Sequence, residues 1–267
     1  MTVTTTILWI HGWGTSPRVW GHDGSVVHIE QELPGYQHIY INYSNCETSA
    51  DFENMVRNQL SLHQHENQLT TNQYVLVGWS LGAMLTLEAV MAANINHDTS
   101  HATITNSKAK LPIRIMSTVI VSGTLKFTDS DRSLGWPQKI VARMRSKLVT
   151  DRQEVLQQFR SSMITSNEQG TDWTNHIHQL DTDFSSEGLE AGLTYLMETD
   201  LRASWDARSA SIPNLLWIHG MIDVICPSGA VPLMTPPINM TRIEAAGHLP
   251  FLSHSKLFYE QLRGFLQ

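Results

Sequence analysis

Ser80 is the residue in this sequence best placed to do chemistry. It lies in Gly78-Trp79-Ser80-Leu81-Gly82, after the β-forming run Tyr74-Val75-Leu76-Val77 and before the apolar, helix-forming run from Ala83 to Ala93. A G-x-S-x-G between a strand and a helix is a turn sharp enough to strain the serine backbone and lift its hydroxyl clear of both elements. Glycines suit positions 78 and 82, because a Cβ there would meet the adjoining strand or helix. The plainer reading is a glycine-rich helix entry with a capping serine.

A serine hydroxyl is a poor nucleophile near neutral pH. It needs a base to take its proton and an anion to orient that base. After an elbow of this kind the acid precedes the histidine along the chain. Asp223, in His219-Gly220-Met221-Ile222-Asp223, and His248, in Gly247-His248-Leu249-Pro250-Phe251, follow Ser80 in that order, each just past a strand candidate. Open parallel sheets bind ligands beyond the carboxyl ends of their strands, so the three residues can converge. Singly, Asp223 reads as a turn cap and His248 as one of 13 histidines; order and placement together carry the assignment. An oxyanion needs two backbone N–H donors. Leu81, next to the nucleophile, supplies one. The loop His11-Gly12-Trp13-Gly14 supplies the other through Trp13, whose ring walls the pocket or fills the core. No metal or cofactor is expected. His63 and His65, like His176 and His178, are two apart, a spacing that points side chains away from each other on a helix. Cys226 has no base motif beside it.

Several elements must position these residues. Ile7–Ile10 is a continuous apolar run, as in a strand buried on both faces of a parallel sheet. Val26, Val27, Ile29 and Leu33 suggest a short helix stopped by Pro34-Gly35, and residues 38–42 the next strand. Asp51 caps a helix with Phe52, Met55, Val56, Leu60 and His63 on one stripe. Residues 94–114 are polar and read as a loop or insertion. Strands follow at Ser117–Val121, Leu215–Ile218 and Asn239–Ala245, and an amphipathic helix at Lys256–Leu266. Strand–helix–strand alternation predicts an α/β fold with a mostly parallel sheet flanked by helices. Between 126 and 211 the periodicity turns helical. One stripe is Ile140, Val141, Met144 and Leu148. A second, Val155, Leu156, Phe159 and Met163, follows the capping-box spacing Asp151-x-x-Glu154. Trp173, Ile177 and Leu180 form a third, and Leu189, Leu193, Leu196 and Met197 a fourth. A helical lid, 126–211, is therefore expected within a core of 1–125 and 212–267.

Composition excludes several function classes. The 267 residues carry a formal charge of −7, without the basic footprint of a general nucleic-acid binder. Cys46 and Cys226 cannot build a disulfide framework, which points to a reducing, cytoplasmic setting. No basic residue precedes the four-residue apolar run at Ile7–Ile10, so neither a secretory signal nor a membrane span is expected. Six basic side chains (Lys139, Arg143, Arg145, Lys147, Arg152 and Arg160) stand against two acidic ones, Asp151 and Glu154, in one lid segment. Such a patch steers an acidic partner or is a solvated face. Asp172, Asp181 and Asp183 read as solvated lid charges.

The elbow, the His11–Gly14 loop, the acid loop and Gly247–Phe251 resemble the α/β-hydrolase superfamily over nearly the whole chain. His-Gly-Trp-Gly with Gly-Trp-Ser-Leu-Gly is similar, more narrowly, to the esterases of biotin synthesis that cleave the methyl ester of a pimeloyl chain on acyl carrier protein. Gly188-Leu189-Glu190 through Thr199-Asp200-Leu201-Arg202 resembles the end of their lid. The resemblance implies a carboxylesterase with Ser80 as nucleophile, Asp223 as orienting acid, His248 as base, and Trp13 and Leu81 as oxyanion and substrate contacts. It also implies an acyl pocket lined by Phe159, Arg160, Ser161, Ser162 and Met163, and an acidic carrier bound by lid arginines. Glu154 and Gln158 stand near where those arginines are expected, leaving Arg143, Arg145, Arg152 and Arg160 to serve from neighbouring positions. The insertion at 94–114 and the lack of strands before Ile7 depart from the family. A monomer is expected. A general esterase, a thioesterase or a carbon–carbon bond hydrolase fits the same triad, and a catalytically silent hydrolase fold that binds a small ligand or a protein partner is the rival of another class.

Overall fold

The computed structural model describes residues 5–21, 29–66, 73–96, 101–104, 113–169, 171–212, 214–232 and 239–267. Its strands are β1 (Thr6–Ile10), β2 (Gln37–Tyr40), β3 (Gln73–Trp79), β4 (Asn94–Asn96), β5 (His101–Ile104), β6 (Ile113–Val121), β7 (Leu215–Gly220) and β8 (Asn239–Ile243). Its helices are α1 (Ile29–Glu32), α2 (Ser49–Glu53), α3 (Met55–Glu66), α4 (Leu81–Met91), α5 (Gln138–Ser162), α6 (Asp172–Gln179), α7 (Ser186–Glu198), α8 (Arg202–Arg208), α9 (Pro250–Ser253) and α10 (Ser255–Leu266).

Six strands run parallel in the order β2-β1-β3-β6-β7-β8. The central ones are the continuous apolar runs of the sequence. β1 and β7 are buried at every residue, as strands covered on both faces must be. β3, the strand that leads into Ser80, sits between β1 and β6, in the middle of the sheet. The sheet thus has the α/β form expected, with connections that carry helices over its faces.

The expected loop at 94–114 is corrected in part. β4 and β5 pair antiparallel, and β5 pairs antiparallel with the start of β6, at Ile113–Ile115; residues 97–100 and 105–112 lie outside the described residues. β6 also begins four residues earlier than its apolar run suggested. The physical reason is an edge. β7 pairs only with Thr118–Val121 of β6, so the first residues of this nine-residue strand need other backbone partners on that side. Backbone pairing requires no apolar alternation, so a polar sequence gives little sign of it. The helix expected through Val26 and Val27 is described only as α1, those two residues lying outside the described set.

Four helices, α5 to α8, come between β6 and β7, and no strand occurs among the described residues of 126–211. The segment leaves and returns at one place: Lys126 and Asp200 form a bridge, and Leu201 N–H donates to Leu125 O at 2.9 Å. α5 bends at Asp151 (φ −153°, ψ 67°), where Asp151 Oδ1 accepts Glu154 N–H at 3.2 Å and so caps the second half. Within the first half Ile140 is 41% exposed, a correction to its place on a core-facing stripe. No helix among the described residues is long and apolar enough to cross a membrane.

Candidate active site

Ser80 stands between β3 and α4 with φ 58° and ψ −118°, a conformation a non-glycine residue holds only when its surroundings force it. The neighbours supply that force. A Cβ at Gly78 would strike Thr86 Oγ1 and the carbonyl of Gly82, and one at Gly82 would strike the carbonyl of Ile10. Both glycines allow α4 to press against β1 and β3, so the turn cannot relax.

Asp223 follows β7 and His248 follows β8, so the loops after three parallel strands meet at one end of the sheet. His248 Nε2 lies 3.0 Å from Ser80 Oγ, and His248 Nδ1 lies 2.7 Å from Asp223 Oδ2. The other oxygen of Asp223 accepts the N–H groups of Ile225 and Cys226, at 2.8 and 3.0 Å. The carboxylate therefore has donors on both oxygens and cannot rotate away from the imidazole. These partners assign the histidine tautomer: Nδ1–H donates to Asp223, and the Nε2 lone pair faces the Ser80 hydroxyl. All three side chains are buried. Trp79 donates its indole N–H to His248 O at 2.8 Å and packs its ring on the imidazole.

His219 lies beneath this chain of bonds. Burial pushes its imidazole pKa down, favouring the neutral ring. Its Nε2 lies 2.9 Å from Cys226 O and Trp217 donates to its Nδ1, which ties the acid loop to β7. Asp223, Cys226 and His248 offer three ligand atoms within 4.8 Å of one another. The Asp223 carboxylate is already taken by three donors, and burial raises the Cys226 thiol pKa well above its usual value, which disfavours a thiolate as ligand or nucleophile.

The loop His11–Gly14 lies against Ser80. A Cβ on Gly12 would sit 3.0 Å from Ser80 Cβ and 2.8 Å from the Trp79 ring. Leu81 is the first residue of α4, where backbone N–H groups point outward without intrahelical partners. Neither Trp13 N–H nor Leu81 N–H has a partner among the described residues, and both belong to segments touching Ser80. The Trp13 ring is fully buried; it donates to Leu189 O on α7 at 2.9 Å and meets Phe159 edge-on at 5.0 Å. Gly192 of α7 allows this contact, since a Cβ there would lie 2.8 Å from Trp13 Cδ1.

Phe159–Met163 divides. Phe159 and Ser162 line a groove of about 720 Å³ together with Trp136, Ile140, Met144 and Arg143. Phe159 also packs edge-on against Trp13, while Ser80, Asp223 and His248 are not among the residues lining this groove. Met163 is buried, and Ser161 is exposed. Arg160 is buried and donates to Gly14 O at 3.1 Å, with burial lowering its pKa. It is a joint between the helical block and the loop, which removes it from an outward-facing basic patch. Of the remaining arginines, Arg145 bonds Thr194, and Arg152 bonds Phe184 O and Ser186. Arg143 is exposed at the groove.

Three residues with structural work here were missed or misread from sequence. Asp183, read as a solvated charge, is only 9% exposed at its side chain. It accepts Tyr43 N–H at 3.0 Å and lies 3.2 Å from His11 Nε2. His11 is buried beside Thr15 and Gly12 O, so this pair pins the loop that carries Trp13. Glu168 is buried and accepts Gly247 N–H at 3.1 Å; the spacing Thr165-x-x-Glu168 was its only signal. His176 bonds Arg18 O, and the side chains of His63 and His65 lie outside the described residues.

The profile of the Alpha/beta hydrolase family matches residues 7–261. The chain is similar to a protein of Aeromonas hydrophila named pimeloyl-[acyl-carrier protein] methyl ester esterase, at 26% identity over 96% of this chain and 93% of the relative. One of the same name from Nitrosomonas europaea is 25% identical over 94% of this chain and 92% of its own. Among solved structures, an esterase of Exiguobacterium antarcticum superposes with a TM-score of 0.70 at 18% identity, over 99% of this chain and 92% of that one. A bromoperoxidase of Bacillus anthracis gives 0.68 at 21%, over the same shares. Likeness to proteins of such different titles speaks for the fold and leaves the reaction to the site.

Proposed function

The chain belongs to the alpha/beta hydrolase family, and from that premise we propose that it is a serine carboxylesterase whose substrate is the methyl ester of a pimeloyl chain on acyl carrier protein. The bonded series Ser80–His248–Asp223 is the observation that carries the esterase reading. The names of its full-length relatives support the substrate.

In this reading His248 Nε2 takes the Ser80 proton as Oγ attacks the ester carbonyl. The N–H groups of Leu81 and Trp13 hold the resulting oxyanion. Collapse breaks the bond to methoxide, which leaves as methanol with the proton from His248. Water then gives its proton to His248 and attacks the acyl-enzyme, and Ser80 leaves reprotonated with a free carboxylate as product. Asp223 keeps Nδ1 protonated throughout and stabilises the imidazolium. Residues 126–211 act as the lid, with the groove between Trp136 and Phe159 leading acyl chains toward Ser80 and Arg143 at its mouth facing the carrier. A carrier-bound substrate agrees with the cytoplasmic setting expected from the cysteines.

Purified protein is expected to hydrolyse both pimeloyl-carrier methyl ester and p-nitrophenyl butyrate, with Ser80→Ala lowering both rates by about 10⁴-fold or more. Wild-type activity in that variant removes Ser80 as nucleophile. Growth of a biotin auxotroph lacking its methyl esterase, restored by the wild type and not by Ser80→Ala, tests the substrate. Robust p-nitrophenyl ester turnover without restored growth overturns the carrier-linked substrate and leaves a general esterase.

A further inference from the structure

The lid reaches the histidine loop through Glu168, a residue the reaction above does not use. Its two carboxylate oxygens have different partners. Oε2 accepts the N–H and the Oγ1–H of Thr165, at 2.9 and 2.8 Å, closing a turn that Glu168 N–H also closes onto Thr165 O at 3.0 Å. A staple for that turn needs nothing more. Oε1 leaves the turn and accepts the N–H of Gly247, at 3.1 Å, on the residue next to His248.

That bond completes a clamp on one peptide unit. At its other end, Ala246 O accepts Ile222 N–H at 3.1 Å, from the loop that carries Asp223. A peptide plane held at both polar ends cannot swing, and swinging it would turn the backbone that aims the imidazole. Beyond His248 the carbonyl is held in turn by Trp79. The acid loop, the elbow and the lid thus each tie the backbone of residues 246–248 once. The approach is close enough to demand glycine at 247: a Cβ would lie 2.8 Å from both Glu168 Oε2 and Thr165 Cγ2. A buried carboxylate is tolerated only with such donors, and its charge makes each bond stronger than a neutral one.

We propose that Glu168 is a positioning residue for His248, through which the seating of the lid fixes the aim of the base. The proposal rests on reading His248 as that base. Losing the clamp leaves the pocket and the nucleophile intact and lets the imidazole drift, so the cost falls on the chemical step. A misplacement of about 1 Å can cost up to ~10²-fold in rate.

The test compares wild type, Glu168→Ala, Glu168→Gln and Ser80→Ala on p-nitrophenyl butyrate, with sites counted by fluorophosphonate labelling and folding followed by thermal melting. Glu168→Ala is expected to lower kcat per labelled site by roughly 10- to 100-fold, with KM held within about twofold. Its phosphonylation rate constant should fall by a similar factor, since that reaction also needs the base. Glu168→Gln should recover part of kcat, because its amide oxygen can still accept from Gly247, and Glu168→Met, similar in length and without an oxygen acceptor, replaces Glu168→Ala if that variant does not fold. If Ser80→Ala stays active, the triad reading fails and the proposal falls with it. If Ser80→Ala is inactive while a folded, fully labelled Glu168→Ala or Glu168→Met keeps wild-type kcat, Glu168 is a turn staple and the positioning role is overturned.

Discussion

Ser80 is held at a positive φ by two glycines that let neighbouring backbone into the space a side chain would fill. The strain is of order 1–3 kcal/mol, and the return is a hydroxyl fixed 3.0 Å from His248 Nε2. Asp223 shows how finely the base is set. An amide in its place could keep the N–H groups of Ile225 and Cys226 on one oxygen, yet would present NH₂ to Nδ1 and invert the imidazole tautomer. Asp223→Asn is therefore expected to cut kcat by about 10³–10⁴-fold with little change in fold. Steady-state kinetics beside a circular dichroism melt would check it; activity near wild type would show that another carboxylate does this work.

Between elements, the polar joints gather where the helical block of 126–211 meets the loops around Ser80. Arg160 holds Gly14, Asp183 faces His11, Thr182 bonds Thr15, and Trp13 bonds Leu189. A further joint, from α7 to α4, can be tested by pH. Tyr195 donates to Glu88 Oε2 at 2.8 Å, and burial chiefly raises the Glu88 pKa, with the Tyr195 bond and Arg57 opposing and Glu53 assisting. A carboxyl whose folded pKa exceeds its unfolded value stabilises the fold below the unfolded pKa and loses that contribution as pH rises through the folded one. Glu88→Gln keeps an acceptor for Tyr195 without the charge. It should melt at a higher temperature than wild type at pH 7–8, with the gap closing toward pH 4; a gap independent of pH would refute the assignment. These joints also mark where sequence reading stops. β1, β3 and β7 were legible because apolar runs are local signals, and Ser80 and Asp223 because glycine-marked turns follow such runs; His248 follows the mixed strand β8 and stood out by Gly247 and its place after Asp223. Asp183 and Glu168 look like any surface acid until the fold brings His11 and Gly247 to them. The β4–β5 pairing answers an open stretch of β6, a tertiary fact that no local pattern in residues 94–114 records.

Over the whole molecule, a net charge of −7 coexists with a basic stretch on α5. The structure divides that stretch: Arg160 is buried, Arg145 and Arg152 are bonded within the lid, Lys147 pairs with Glu154, and Arg143 stays exposed at the groove. If an acidic carrier docks there, KM for the carrier-linked ester should climb with salt and with Arg143→Glu, while KM for a free short ester stays put. Equal responses of the two substrates would dismiss the docking surface. The helical block also has a consequence in time. It divides the site along the chain, so that Ser80 and His248 lie 168 residues apart. Synthesis runs from the N-terminus, so a ribosome displays the elbow and finishes the entire lid before His248 exists. On the proposed triad the nascent chain carries an unarmed serine, and esterase activity begins only when β8 docks beside β7.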